Sequence, residues 1–177
     1  MPENPPAPYR LRDAEAKDCA AIAPLYAHYV LNTLVTFEEI PPAAEEMARR
    51  LQAVQAAGLP WLVAEAEGGI LGYAYARPYH DRSAYRFTVE NSVYLAPAHF
   101  RRGIGLALMG ELIAACSARG RRQMMAVIGD GANQNSIGLH RRLGFRAVGE
   151  LRSVGFKFGR WVDVMLMQRE LGSGAGP

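Results

Sequence analysis

The segment at residues 93–106 carries residue types that together can bind an anionic ligand. It reads V-Y-L-A-P-A-H-F-R-R-G-I-G-L, which predicts an apolar strand, a short basic loop and the start of an apolar helix. Backbone N–H groups at such a helix start point at one position, and the helix dipole favours an anion there. Gly103 and Gly105 let a pyrophosphate approach the main chain closely. Taken alone, the loop is equally compatible with an ordinary turn in which Arg101 and Arg102 are solvated.

Two familiar phosphate-binding loops are excluded by the residues around these glycines. A Walker loop needs Gly-Lys followed by Ser or Thr, which the segment lacks, and a Rossmann fingerprint needs a small residue where Leu108 stands. Nearly all of the basic residues of the chain are arginines, because Lys17 and Lys157 are its two lysines. Since a guanidinium can donate two parallel hydrogen bonds to phosphate oxygens, the arginine clusters favour a phosphorylated ligand.

Composition indicates one globular domain and excludes several other classes. The 177 residues are 50% hydrophobic and 21% charged, and a net charge of +3 is too small to indicate nucleic-acid binding by itself. Cys19 and Cys116 lie far apart without a Cys-x-x-Cys or Cys/His cluster, so we expect neither disulfides nor a metal. Residues 1–8 lack a signal-peptide pattern, and the apolar run at 103–118 is too short for a membrane span. A soluble cytoplasmic protein is expected.

The elements that position the loop follow from the hydrophobic period along the chain. Helices are predicted at residues 18–32, with a bend at Pro24, and from Pro41 to the turn at 58–60. The remaining elements are strands at 9–12, 61–66, 70–79, 90–96, 124–128 and 162–167, and helices at 103–118 and 136–143. This order predicts a mixed α/β domain around one sheet.

The loop and a second motif resemble the GCN5-related N-acetyltransferases, the GNAT family. The coenzyme A loop of that family follows Gln/Arg-x-x-Gly-x-Gly/Ala, and Phe100 departs from it by standing at the Gln/Arg position. Residues 133–145 match the family's Asn-x-x-Ser/Ala helix that ends in Gly-Phe. The resemblance implies one domain at residues 8–171, with flexible tails at 1–7 and 172–177. It also implies a central mixed, mostly antiparallel sheet flanked by helices on both faces.

Shorter motifs resemble one subfamily, the phosphinothricin and methionine sulfoximine/sulfone acetyltransferases. They are T-F-E at 36–38, G-Y-A at 72–74, R-S-A-Y at 82–85, T-V-E-N-S-V-Y at 88–94 and V-G-F-K-F-G-R-W-V-D at 154–163. The last is the most specific, since other acetyltransferases lack it. The subfamily acetylates the α-amine of small amino-acid analogues, so the resemblance implies that activity, acetyl-CoA as donor and a homodimer.

The same resemblance implies roles for two titratable residues. Glu90 matches the catalytic carboxylate of the subfamily and would remove a proton from the acceptor amine, directly or through one water. Such a base is useful because an α-amine of pKa about 8 is mostly protonated at pH 7. A solvated strand-end carboxylate is the alternative. His140 would be the acid to the leaving thiolate, a second base, or a packed and hydrogen-bonded histidine.

The expected binding residues fall into two groups. Cofactor contacts are expected from Val93, Tyr94, Leu95, Arg101, Arg102, Gly103, Ile104, Gly105, Leu106, Asn133 and Ser136. The resemblance implies that the N–H of Leu95 is the candidate oxyanion donor. Asn133 is expected to hold the pantetheine or the reacting amide, a role that is compatible with a helix cap. The acceptor pocket is expected to contain Phe37, Tyr73, His80, Asp81, Arg82, Tyr85, Glu90, Asn91 and Ser92. Arg82 is the candidate for the acceptor carboxylate, while Lys157, Arg160 and Trp161 would shape the pocket or a dimer contact.

Two other functions fit parts of the pattern. A binding module for RNA or protein would use the arginine clusters, but it does not account for the spacing of the glycines and Asn133. An acetyltransferase acting on a protein N-terminus, a polyamine or an aminoglycoside is the other alternative. Polycation pockets generally need acidic clusters, and residues 79–92 offer Asp81 and Glu90 against Arg82 and Arg86. That composition disfavours a polycationic acceptor.

Overall fold

Seven strands and four helices make up the computed structural model, which describes residues 9–176. The strands are β1 (Arg10–Asp13), β2 (Trp61–Ala66), β3 (Gly69–Pro78), β4 (Thr88–Leu95), β5 (Gln123–Gly129), β6 (Arg146–Lys157) and β7 (Arg160–Glu170). The helices are α1 (Cys19–Asn32), α2 (Ala44–Ala56), α3 (Ile104–Ala118) and α4 (Gln134–Arg142). All strands belong to one sheet in the order β1-β2-β3-β4-β5-β7-β6.

The pairing of β4 with β5 is the feature of this sheet that matters for function. These two strands are parallel, whereas every other neighbouring pair is antiparallel. Their register runs from Thr88 opposite Gln123 to Asn91 opposite Ala126 and then stops. Because β4 continues to Leu95, its last residues have β3 on one side and an opening on the β5 side.

Helices cover both faces of the sheet. The Tyr94 ring lies 5.0 Å from the Tyr26 ring and 5.1 Å from the Tyr29 ring, so α1 packs on the face that Tyr94 occupies. Leu95 points the other way, towards Gly105 of α3. The predicted fold, a mixed and mostly antiparallel sheet between helices, is confirmed.

Most element boundaries agree closely with the sequence predictions, but three differ. The second helix begins at Ala44 instead of Pro41, and the last strand extends beyond the predicted 162–167. Strand β6 was not predicted at all. It is an edge strand whose first nine residues are exposed, with register shifts at Ala147/Gly149 and Leu151/Gly155. The sequence therefore shows no alternation there, because neither face of that stretch is buried against a core.

The end of the described chain lies against the sheet. Residues 172–176 form turns in which the N–H of Gly174 donates to Leu171, and the Arg122 guanidinium contacts the Ser173 hydroxyl. Residues 1–7, predicted as a tail, lie outside the described residues, and the domain boundaries stay a prediction. None of the helices between residues 9 and 176 is long and apolar enough to cross a membrane. In the same part of the chain no three His, Cys, Asp or Glu side chains are grouped to hold a metal ion.

Candidate active site

The opening beside β4 exposes backbone groups that have no strand partner. The N–H of Ala96 donates to Leu71 of β3 at 2.8 Å. Since backbone groups alternate in direction along a strand, those of Leu95 and Val93 point away from β3 and into the opening. An extended ligand arm can pair with this edge as an additional strand would.

Tyr29, which is not among the predicted site residues, contacts this edge. Its hydroxyl donates to the carbonyl of Leu95 at 2.5 Å and accepts from the N–H of Leu95 at 3.3 Å. Burial raises the pKa of Tyr29, so the hydroxyl stays a proton donor at neutral pH. A ligand that pairs with Leu95 has to exchange with Tyr29. No sequence signal distinguishes this tyrosine from others on a helix.

The loop before α3 has the geometry of an anion site. Gly103 adopts φ +79 as the N-cap residue, and Arg101 has a positive φ of 60. The first helical hydrogen bond runs from the Ala107 N–H to the Gly103 carbonyl at 3.0 Å. The N–H groups of the first turn therefore have no acceptor within the helix, and they belong to Ile104, Gly105 and Leu106. Arg101 and Arg102 are exposed beside them, which adds positive charge to the helix dipole.

Asn133 is a helix cap in this structure. Its Oδ1 accepts the Ser136 N–H at 3.1 Å at the start of α4. It also lines an open cavity of about 550 Å³ between the end of α1, the β5–α4 connection and the β6–β7 turn. Phe158 and Arg160 also line that cavity, and none of the expected acceptor residues does. The cap therefore faces a space large enough for part of a ligand.

Glu90 forms an ion pair with Arg77, which is also not among the predicted site residues. The two residues are opposite each other on β4 and β3, and Arg77 Nη2 donates to Glu90 Oε1 at 2.7 Å. The Glu90 side chain is 12% exposed, whereas the Arg77 side chain is 56% exposed. The register of the β3–β4 pair is the signal that could have identified Arg77, since partners across a ladder share a face.

His140 is buried and both of its ring nitrogens are engaged. Nδ1 lies 2.8 Å from the Ser136 carbonyl, and Nε2 lies 3.0 Å from Asn91 Oδ1. The Asn91 amide donates in turn to the carbonyl of Met125 on β5 at 2.9 Å. Burial lowers the pKa of His140, and the hydrogen bond to Ser136 opposes that shift. Both ring nitrogens therefore lie beside protein oxygens, and the role of His140 stays a prediction.

Two residues expected in the acceptor pocket are buried. Asn91 is buried and faces α4, on the side of the sheet opposite Glu90, because adjacent strand residues alternate faces. Tyr73 is fully buried and stacks with Trp61 and Tyr75, so it belongs to the core. Ser92 is half-buried on the same face as Glu90. Asn91 and Tyr73 are thus buried side chains in this structure, and the composition of the acceptor pocket stays a prediction.

The remaining acceptor candidates lie in two loops. The loop between β3 and β4 is exposed and carries His80, Asp81, Arg82 and Tyr85, with the His80 and Tyr85 rings 5.0 Å apart. The second loop joins α1 to α2 and contains Phe37. Its ring packs against Gly155 of β6, where a Cβ atom would overlap it.

Lys157 and Trp161, which the sequence could not assign, differ sharply in environment. Lys157 is buried and donates to the carbonyl of Thr36 at 2.8 Å, so it holds the α1–α2 loop in place. Burial lowers its pKa, and the nearby Glu39 and Glu38 oppose that shift. Trp161 is exposed on the β6–β7 hairpin.

A parallel strand pair that separates beside the exposed N-terminus of a helix can receive an extended anionic ligand. Comparison with known proteins identifies the family. A family model for the acetyltransferase (GNAT) domain matches residues 11–166. The chain belongs to the GNAT acetyltransferase family and is an N-acetyltransferase by this membership.

Individual members of the family are similar to this chain over nearly their whole length. The chain is 48% identical to the phosphinothricin N-acetyltransferase of Alcaligenes faecalis, over 98% of this chain and 93% of that protein. It is 38% identical to an L-methionine sulfoximine/L-methionine sulfone acetyltransferase of Salmonella typhimurium, over 94% of this chain and 97% of that one. A phosphinothricin acetyltransferase from Sinorhizobium meliloti, solved in complex with AcCoA, superimposes with a TM-score of 0.91. That match has 48% identity and covers 94% of this chain and 90% of the other.

Proposed function

We propose that this chain uses acetyl-CoA to acetylate the α-amine of a small amino acid or analogue of the phosphinothricin, methionine sulfoximine or methionine sulfone type. The observation that carries the proposal is the edge of β4 that β5 leaves unpaired after Asn91, which has Glu90 just before it and leads towards the loop at the start of α3. The names of the relatives support the same substrate class. A cytoplasmic location is part of this proposal.

Acetyl-CoA supplies the acetyl group, and the chain offers groups that fit each part of it. The free N–H groups at the start of α3, with Arg101 and Arg102, fit the pyrophosphate. The backbone of Leu95 fits an amide of the pantetheine arm once the Tyr29 hydroxyl has moved away. Asn133, capped onto the Ser136 N–H, lines the cavity that lies between the end of α1, the β5–α4 connection and the β6–β7 turn.

Strand geometry separates the roles along β4. At about 3.3 Å per residue, Glu90 lies roughly 10 Å from Val93 and roughly 16 Å from Leu95. A glutamate and one bridging water span the first distance but not the second. We therefore assign the oxyanion role to the Val93 N–H instead of the Leu95 N–H, and the pantetheine contact to Leu95.

The acceptor ammonium first loses one proton through the bridging water to Glu90, which leaves a neutral amine. The amine nitrogen then bonds to the acetyl carbon while the carbon–sulfur bond breaks, and coenzyme A leaves as a thiolate. The nitrogen releases its second proton to solvent as the amide forms. The thiolate takes a proton from solvent, which its pKa of about 8.5 permits at pH 7. His140 acts through Asn91 as a positioning residue, because their hydrogen bonds hold α4 to the last rung of the β4–β5 pair.

The direct test measures free thiol released from acetyl-CoA against a panel of amines. We expect release with phosphinothricin, methionine sulfoximine or methionine sulfone, and little with a polyamine or an aminoglycoside. Release of thiol with a polyamine or an aminoglycoside alone would mean that the acceptor is a polycation instead of a small amino acid. Absence of release with every amine, combined with nucleic-acid affinity that falls steeply with salt, would support the basic binding module instead.

A homodimer is the second part of the proposal, and the β6–β7 hairpin is the surface that supports it. Phe156 and Trp161 are 57% and 66% exposed and their rings are 5.1 Å apart, so they form one exposed apolar patch on an edge strand. We expect a solution mass of twice 19.4 kDa at micromolar concentration. Trp161→Glu should yield the monomer, whereas Ile40→Glu, at an 83% exposed residue of the α1–α2 loop, should not. A monomeric wild-type protein would contradict the proposal.

A further inference from the structure

In the Arg77–Glu90 pair the Glu90 carboxylate is mostly buried, whereas the Arg77 guanidinium is exposed to solvent. Arg77 Nη2 uses one donor for Glu90 Oε1 at 2.7 Å, and a guanidinium carries five N–H donors in a planar fork. Glu90 retains its second carboxylate oxygen, Oε2, since this hydrogen bond engages Oε1. Each partner therefore keeps free hydrogen-bonding capacity on the same face of the sheet, the face that α1 covers further along β4.

An α-amino acid has the complementary arrangement of charges. Its ammonium and carboxylate groups are attached to one carbon. Two neighbouring side chains of opposite charge can therefore each form a charge-assisted hydrogen bond with one of these groups. When such a zwitterion approaches the pair head to tail, its ammonium meets Glu90 and its carboxylate meets Arg77. A simple amine satisfies Glu90 but leaves Arg77 without a second anion.

We propose that Arg77 is the residue that binds the α-carboxylate of the acceptor, and that the Arg77–Glu90 pair recognises α-amino acids as zwitterions. This inference rests on the proposed function and deepens it, because it identifies what selects amino acids over other amines.

Arg82, the arginine suggested by sequence, is less suited to this role. It is the exposed N-cap residue of a three-residue helical turn in the β3–β4 loop. Arg77 instead lies on the regular ladder, and its guanidinium is already oriented by Glu90. A side chain held in place loses less rotamer freedom on binding, so it gives more selectivity per hydrogen bond.

The experiment compares two acceptors in three variants of the full-length enzyme. The acceptors are methionine sulfone and 3-(methylsulfonyl)propylamine, which is the same molecule without its carboxylate. In Arg77→Met we expect kcat/KM for methionine sulfone to fall about 30- to 100-fold, mainly through KM, because one partner of a charged pair is lost. The value for the amine should stay within about threefold, since that acceptor never used the carboxylate site.

Two further variants serve as controls. Arg82→Met removes the competing arginine and should leave the ratio of the two kcat/KM values unchanged. Arg77→Lys keeps the charge but not the fork, so it should restore part of the preference for methionine sulfone. A thermal shift with acetyl-CoA confirms that each variant is folded and binds the donor.

Several results would overturn the inference. An equal loss for both acceptors in Arg77→Met would mean that Arg77 only supports Glu90. A carboxylate-specific loss in Arg82→Met, without one in Arg77→Met, would transfer the role to Arg82. If the wild-type enzyme acetylates neither acceptor and releases no thiol with any amine, the proposed function itself fails.

Discussion

Glu90→Gln is expected to lower kcat at pH 7 by roughly 10²–10⁴-fold, which corresponds to roughly 3–5 kcal/mol of activation free energy. The amide keeps the shape of the side chain, and its oxygen can still accept the Arg77 hydrogen bond, but it cannot take a proton from the amine. The acetyl-CoA affinity should barely change, because the proposed donor contacts lie further along β4 and at the start of α3. Steady-state release of free thiol measures this loss.

The pH profile of the Glu90→Gln variant distinguishes a base from a binding residue. Its rate should partly recover at high pH, where more of the amine is already neutral, whereas loss of a positioning contact would raise KM and leave the profile unchanged. Glu65→Gln is a matched control, since Glu65 is also a strand carboxylate paired with arginines, Arg10 and Arg12. That variant should keep wild-type turnover. Wild-type turnover at pH 7 in Glu90→Gln would show that bulk water or another group removes the proton.

Gly103→Val should abolish the stabilisation that acetyl-CoA gives to the wild-type protein. With acetyl-CoA at 100 times its dissociation constant, that stabilisation is about 2.7 kcal/mol. Gly103 has φ +79 at the N-cap of α3, a conformation that a β-branched residue adopts only with strain. The loop must rearrange, and the first-turn N–H groups then no longer converge on the pyrophosphate. A melting scan with and without millimolar acetyl-CoA tests this.

Gly120 provides the control at the other end of the same helix. It has φ +71, and a Cβ atom at either glycine would meet no atom within 4 Å, so Gly120→Val introduces comparable strain without a steric clash. Both variants should lose similar intrinsic stability, but Gly120→Val should retain the full shift with acetyl-CoA. A normal shift in Gly103→Val would remove the α3 loop from the donor site, and no shift in the wild-type protein would remove acetyl-CoA as the donor.

Features that depend on residues close together in the sequence could be predicted from the sequence. The glycine and arginine loop, the Asn133 helix start and helix α3 are each encoded within about 15 consecutive residues. Their signals are turn chemistry and a buried helix face, which neighbouring residues determine. The prediction of an α/β sheet with helices on both faces followed from the order of these elements, and family membership was predicted from the same motifs.

Only the tertiary structure decided which residues meet across elements. Arg77 reaches Glu90 because the β3–β4 register places them opposite each other, and Tyr29 meets Leu95 because α1 packs over the end of β4. His140 meets Asn91 because α4 packs against the sheet beside the β4–β5 pair. These contacts join residues 13 to 66 positions apart, and they depend on strand register and helix packing. A local pattern cannot specify such a contact, because a one-residue shift in register would place a different side chain at the same point.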